Sequence, residues 1–543
     1  MHAKTLVTTL DLSTVEELPS AQQQIYVLSV AHMSINDVTA DRIETLHDIN
    51  NFQTSKRLSF PITINNANDD NDGICSPPII LNRLIDALHS GNHKLILRKW
   101  KQGARWWNLN MNHADTSSSS ATNDNSNINN TLSMAKAEVA GYRLAKLAMS
   151  HYSQQHNNNN KKRKICAHVP DVLYFSHDEN DTEGAPWALF SYFGDCKEGL
   201  DEDGNEERNI DINIVNNTTL KWDLKNAISV AKTSQSSSSL QHNHLVECKH
   251  YPSTMTKIRH EFGFDEPHPR HGRVPIDECS DYAHMILRDV VLPVQFSFFE
   301  WSSSSSSSSL QPSVNDVEWK DSLCVLAVDS QASKSFQYQD MIAVYRLAQQ
   351  RLSAAKKNAT VDDERMDALL QMMYECVSAL EHEWDGHDGR HPPPLPAVIC
   401  HMDLQPQNLT FWHDRNGNDN GNINVHVSKH CSVASVVDFE EAAYADPRFE
   451  VLLICRKVLA NLEQAEGLWK SYSSSVKLQT TWDVGPIEPW LRLETVHSLF
   501  TLLLQANNLL GGGRNPWETK PDLWGKIDRE RRRLVRMGWS FCR

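Results

Sequence analysis

Residues 401–408 read HMDLQPQN, and residues 436–447 read VVDFEEAAYADP. Each string follows a short apolar run, Ala397 to Cys400 in the first case and Ser432 to Val437 in the second. Such runs are expected to be strands, which puts Asp403 and Asn408 on a loop leaving one strand and Asp438 at the end of another. His401 stands two residues before Asp403, Asn408 five residues after it. Phosphoryl transfer needs these residue types: a carboxylate to orient and deprotonate an attacking hydroxyl, and an amide oxygen with a second carboxylate to hold Mg²⁺ against nucleotide phosphates. Hard oxygen donors suit Mg²⁺, which keeps several waters and borrows phosphate oxygens for the rest of its shell.

The two strings resemble the catalytic and metal-binding loops of the aminoglycoside phosphotransferase and choline kinase superfamily, relatives of the protein kinases. The HxDLxPxN pattern and the DFE at Asp438–Glu440, where protein kinases carry DFG, are similar to that family in particular. The resemblance implies ATP and Mg²⁺ as cofactors, Asp403 as catalytic base, His401 as support for its loop, and Asn408 and Asp438 as metal ligands. It also makes Asp446 and Glu450 structural acidic positions. Asp403 and Asp438 lie 35 residues apart, and the Asn/Gly-rich tract around 416–424 accounts for that distance as a hairpin insertion.

Working outward, KLILRKW at 94–100 has the aliphatic content of a buried strand and ends on two cations, Arg98 and Lys99, which alternation sends to opposite faces. A helix is expected from Ser133, with Met134, Val139, Tyr142 and Ala145 on one face and Glu138 and Arg143 elsewhere. By the family resemblance, one of the two cations binds nucleotide phosphates and Glu138 fixes its direction; Arg98 is preferred, and Lys99 serves if the strand shifts by one residue. Strands are expected at Val172–Phe175 and Trp187–Phe193. Helices follow at Met341–Leu352, from Met366 to Leu380, at Glu450–Leu459 and at Leu491–Leu510. A glycine-rich phosphate loop should precede residue 94, yet Gly73 is the one glycine in the first 90 residues; Asn51–Asn71 is the stretch read as a substitute cover.

The fold expected is therefore α+β and two-lobed, protein-kinase-like, with a β-rich first lobe over 1–193 and a mainly helical second lobe over 194–543; residues 1–35 are not assigned to an element. Polar tracts at Thr116–Thr131, His156–Lys164, Ser234–Ser239, Ser302–Ser309 and Asn416–Asn424 read as insertions in surface loops. The formal charge of −15 argues against nucleic acid or an anionic membrane as partner, and mildly favours a cationic small molecule. Eleven cysteines without CxxC or zinc-type spacing point to reduced thiols. The absence of a secretory-type leader or of any apolar run of about 20 residues gives the expectation of a soluble cytoplasmic protein.

The acceptor is a small molecule that the frame does not specify. Glu441, Trp490 and Glu494 are candidate contacts for it, with Trp490 better explained by core packing, and Trp106, Trp107 and the 268–275 turn are weaker ones. A divergent protein kinase and a catalytically silent binding protein are the alternative readings.

Overall fold

The structure is a computed structural model that describes residues 4–18, 23–37, 52–64, 79–90, 93–100, 123–159, 167–177, 185–192, 211–214, 248–250, 276–303, 322, 325–326, 337–357, 365–384, 395–404, 408–412, 432–457, 462–507 and 520–542. It is α+β, and the chain divides into two compact units that are discontinuous in sequence. One comprises Met1–Lys101, Pro170–Cys248 and His413–Gly417, the other Gln102–Val169, Lys249–Trp412 and Asn418–Arg543.

The first unit is built on a long antiparallel hairpin, β1 (Lys4–Leu18) and β2 (Gln23–Asp37). A short helical turn α1 (Phe52–Ser55) leads into β3 (Arg57–Ile64), then come α2 (Ile79–Ser90), β4 (Lys94–Trp100), β5 (Val172–Phe175), β6 (Trp187–Ser191) and β7 (Asp211–Ile214). The sheet runs β3-β1-β2-β4-β6-β5, with β7 parallel to part of β2. On α2, Leu81, Leu84, Ile85 and Leu88 recur at i, i+3, i+4 and i+7 and are buried in one cluster with Leu28, Leu58, Phe60, Leu95 and Leu97 of the sheet. Each such side chain contributes about 1.5–3 kcal/mol by leaving water.

The hairpin explains why residues 1–35 escaped a pattern reading. Tyr26, Leu28 and Val30 are buried at even positions, whereas Met33 and Ile35 are buried at odd ones. The pairing steps from Asp11↔His32 to Leu12↔Val30 and skips the exposed Ala31, so a bulge returns the apolar set to the same face after a one-residue slip. The strand at 187 is shorter than expected, ending at Ser191.

The second unit opens with α3 (Asn123–Asn159), 37 residues long. The helix expected from Ser133 thus extends backward into the Ser/Asn tract and forward into the Asn/Lys tract, both expected as loops; propagation adds a hydrogen bond per residue once the buried centre has nucleated the helix. There follow α4 (Ile276–Ile286), a π-helical turn (Leu287–Val291), α5 (Leu292–Ser303), α6 (Tyr338–Lys357) and α7 (Arg365–Trp384). Four short strands come next: β8 (Val398–Cys400), β9 (Leu409–Trp412), β10 (Ser432–Val436) and β11 (Ala443–Ala445). The chain closes with α8 (Arg448–Lys457), α9 (Leu462–Gln479), α10 (Glu488–Ala506) and α11 (Lys520–Arg536). β8 pairs with β11 and β9 with β10, both antiparallel. Among the described residues no helix is long and apolar enough to cross a membrane.

Candidate functional site: two loops clamped on one backbone unit

The strings 401–408 and 436–447 meet because the strand that enters each loop pairs with the strand that leaves the other, β8 with β11 and β10 with β9. Cys400 lies opposite Ala443 and Leu409 opposite Val436, so residues 401–408 and 437–442 leave adjacent strand ends. Two hydrogen bonds then fix the loops to each other, and a third orients the His401 ring within its own loop. The Nε2 of His401 lies 2.9 Å from the carbonyl of Val437, the N–H of Val437 donates to the carbonyl of Asn408 at 3.0 Å, and the N–H of Asp403 donates to His401 Nδ1 at 3.2 Å. Because Nδ1 accepts, the hydrogen-bond network assigns the imidazole proton to Nε2, and the ring joins the two loops as a neutral donor–acceptor bridge. Val437, the residue before Asp438, is thereby held between His401 and Asn408, which flank Asp403 on either side.

Asn408 donates through Nδ2 to both the carbonyl and the Oδ2 of Asp403, each at 2.9 Å. Two acceptors on that nitrogen settle the amide orientation and leave the side-chain oxygen to serve another ligand. Asn408 is buried and Asp403 half-buried, as is Asp438.

Two non-glycine residues in this site adopt left-handed backbone, Met402 with φ 64° and Asp438 with φ 71°. Such conformations cost of order 1–3 kcal/mol each and persist where the surroundings over-determine them. Beneath Met402 stands Glu450 of α8, which accepts the N–H of His401 in a short contact and that of Met402 at 3.4 Å. The N–H of Asp438 donates to the hydroxyl of Tyr142 on α3 at 2.8 Å.

α3 approaches the Asp438 turn closely for a reason visible at Gly141. A Cβ there would stand 2.8 Å from Ala442 Cβ and 2.9 Å from Phe439 Cβ, so a glycine is needed at this crossing. The Tyr142 and Phe439 rings pack at 4.7 Å, and Phe439 continues onto the His401 ring at 4.4 Å. Glu138 lies one turn before Tyr142 and is completely buried, so the helix side expected to be polar is inside the protein. Gly141, Tyr142 and Glu450 complete the site. The family resemblance already gives Glu450 as a structural acidic position, and Gly141 carries a local signal, since glycine inside a helical pattern costs about 1 kcal/mol against alanine and marks close packing.

Arg98 and Lys99 belong to the first unit. Alternation along β4 places Arg98 with Ile96 and Trp100, opposite Leu95 and Leu97, which face α2; Lys99 falls on the α2 side. Arg98 is buried, with its guanidinium 5.8 Å from the Trp100 ring centre. The strand within Asn51–Asn71 does not lie beside it. That strand, β3, is the sheet edge, separated from β4 by β1 and β2, which at about 4.8 Å per strand is roughly 14 Å away. The described residues paired beside Arg98 are instead those at the ends of β1 and β2, since Leu18 pairs with Ile25 and Ile25 with Arg98. Residues 19–22 lie outside the described residues.

Of the candidate acceptor contacts, Trp490 is a core residue, edge-on to Tyr338 and Phe449 and 4.4 Å under the Arg448 guanidinium. Glu494 is buried 3.7 Å from Arg533, which stands at the same distance from Glu530. Glu441 is buried in the turn after Asp438. Trp106, Trp107 and residues 268–275 lie outside the described residues.

Glu450 carries a pH signature. Burial pushes its carboxyl up from 4.5 to about 7, with the His401 and Met402 N–H groups acting in the opposite direction. The carboxyl sits against a cavity wall of Val290, Val291, Val294 and Ile399, and its Oε1 has no hydrogen-bond partner among the described residues. Between pH 4.5 and about 7 the folded chain keeps a proton that the unfolded chain has lost. The stabilisation is full below the lower value and declines as pH rises through the higher one, by up to about 3 kcal/mol. Glu450→Gln should remove this slope. Urea unfolding of both chains at pH 5 and pH 8 checks it, and an unchanged difference between the two pH values in the variant would exclude Glu450 as its source.

No protein-family model, curated protein or solved structure matches this chain.

Proposed function

We propose that the chain is an ATP-dependent small-molecule kinase of two-lobed, protein-kinase-like architecture, transferring the γ-phosphoryl group to a hydroxyl or amine of a soluble metabolite. The observation that carries the reading is the clamp on Val437, which gathers Asp403, Asn408 and Asp438 through His401 and the Asn408 backbone. In this reading Asp403 accepts the proton of the attacking group, and Asn408 holds its carboxylate in direction. His401, neutral and bonded at both nitrogens, positions the loop and takes no proton.

The donor set fits Mg²⁺. Among the described residues no three His, Cys, Asp or Glu side chains gather into a protein-only metal cage. One carboxylate, Asp438, and the Asn408 amide oxygen suit an ion that draws the rest of its shell from water and nucleotide phosphates. Bound there, Mg·ATP supplies the transferable phosphoryl group and the charge that offsets its oxygens. Arg98, on the strand next to the β1–β2 hairpin, is assigned to the phosphates in preference to Lys99, which the strand directs toward α2; Glu138 is assigned to orient it.

The test is Mg²⁺-dependent ADP release by the purified chain against pooled aminoalcohols, aminoglycosides, sugars and amino acids. Release stimulated by one pool establishes the kinase and its acceptor class. No release together with no ATP binding refutes it in favour of a silent binding protein.

A further inference from the structure

The four cysteines whose side chains are described, Cys376, Cys400, Cys455 and Cys542, are all buried and reduced. Two of them spend their sulfurs on carbonyls, Cys400 on Asp446 at 3.6 Å and Cys455 on Ala465 at 3.8 Å. Cys376 on α7 and Cys542 on the 540–542 turn instead face each other, sulfur to sulfur, at 3.8 Å across 166 residues of chain. That is contact distance for two thiols. A disulfide closes this distance to about 2.05 Å.

The turn that carries Cys542 is docked. Gly538, at φ +96°, ends α11 and reverses the chain; the N–H of Trp539 returns to Leu534 at 3.0 Å and that of Cys542 to Trp539 at 3.1 Å. Trp539 Nε1 lies 3.4 Å from Glu383 of α7, and Glu383 pairs with Arg492 of α10 at 2.8 Å. Arg492 in turn donates to the carbonyl of Met537 at 3.1 Å. The two sulfurs are therefore held face to face by bonds that do not involve them. Pre-organisation of this kind raises the effective concentration of one thiol at the other above that of a flexible tether.

We propose that Cys376 and Cys542 are a redox-modification site, closing to an intramolecular disulfide that locks the 540–542 turn and the end of α11 onto α7. The oxidant is a small-molecule disulfide. A thiolate at Cys542, exposed when the short turn opens, attacks one sulfur of that disulfide; the S–S bond breaks, one small thiolate leaves and takes up a proton, and a mixed disulfide remains. The Cys376 thiolate then attacks Cys542 Sγ and displaces the second small thiol. Two protein thiols are oxidised, one small disulfide is reduced to two thiols, and the two protein protons end on them. Folded, the neighbouring Cys542 thiol and burial hold Cys376 well above its usual range, so reaction waits on opening of the turn.

The experiment exposes the full chain, folded and in urea, to graded ratios of oxidised to reduced glutathione. Free thiols are then trapped by alkylation and the peptide containing Cys376 linked to Cys542 is quantified by mass spectrometry. Since the fold pre-aligns the pair, the folded chain should form this link at a ratio roughly thirty-fold or more below that needed in urea. The thermal midpoint of the oxidised chain should rise above that of the reduced chain, and Cys542→Ser should lose both effects while remaining folded. Recovery of Cys376 and Cys542 as separately alkylated thiols from folded protein, at ratios that link them in urea, overturns the proposal. Neither outcome depends on whether the chain is a kinase.

Discussion

Asp403→Ala is expected to lower turnover by roughly 10²–10⁴-fold, the usual contribution of a positioned general base, while leaving Mg·ATP binding nearly as it was. The separation of effects follows from what each carboxylate touches. Asp403 is half-buried and its carboxylate accepts from the amide of Asn408, which retains a second acceptor in the Asp403 carbonyl when the side chain is lost. The loop therefore keeps its fastening, with Glu450 below it and His401 across to Val437. Asp438 is assigned to the metal, so Asp438→Ala should weaken Mg·ATP binding by about tenfold or more and reduce turnover with it. Calorimetric titration of Mg·ATP into each variant, beside turnover on the acceptor found by the pooled assay, separates the two. If Asp403→Ala loses nucleotide binding as fully as Asp438→Ala does, the division of roles is wrong. If both variants simply unfold, the two carboxylates are structural.

Much of the local structure of this candidate site was legible because its residues are concentrated in two short strings, each behind an apolar run, and apolar runs before polar loops are what periodicity detects. The strands at 94–100 and 172–175 are found with their expected bounds for the same reason. What stayed hidden depends on contacts between residues far apart in sequence. Tyr142 reaches Asp438 across 296 residues, and nothing local marks it; Glu450 was expected as a structural acid, but its reach to His401 across 49 residues was not. The left-handed backbone at Met402 is equally unmarked, whereas aspartate, as at 438, is one of the few non-glycine residues that visit that region. In the first unit the bulge at Ala31 broke the period-two signal of β2, and an edge strand, β3, that contains Pro61 was read as a candidate loop. Proline is tolerated there because an edge strand can leave one row of backbone groups unpaired.

The largest stability effect should come from Asp446 rather than from any residue assigned to chemistry. Asp446 and Arg448 are both fully buried and joined twice, Nη2 to Oδ2 at 2.6 Å and Nε to Oδ1 at 2.8 Å. The arginine also donates its backbone N–H to Oδ1 at 3.0 Å and Nη1 to the Val484 carbonyl at 3.3 Å, with Trp490 against its face. Removing one charge strands the other away from water, so Asp446→Ala and Arg448→Met should each cost about 3–5 kcal/mol. The pair as a whole is a different matter. Its net contribution is its mutual attraction less the cost of desolvating two ions, and that difference is small. The double variant Asp446→Leu with Arg448→Met, which fills similar volume with apolar atoms, should therefore recover most of the loss, and urea unfolding of the two singles and the double measures the coupling. Losses that simply add would mean the two charges do not depend on each other. The consequence for function runs through α8, whose first turn carries both Arg448 and Glu450. A charge left unpaired at Arg448 loosens the helix that supports Met402, and the singles should lose activity in step with stability while the double regains both.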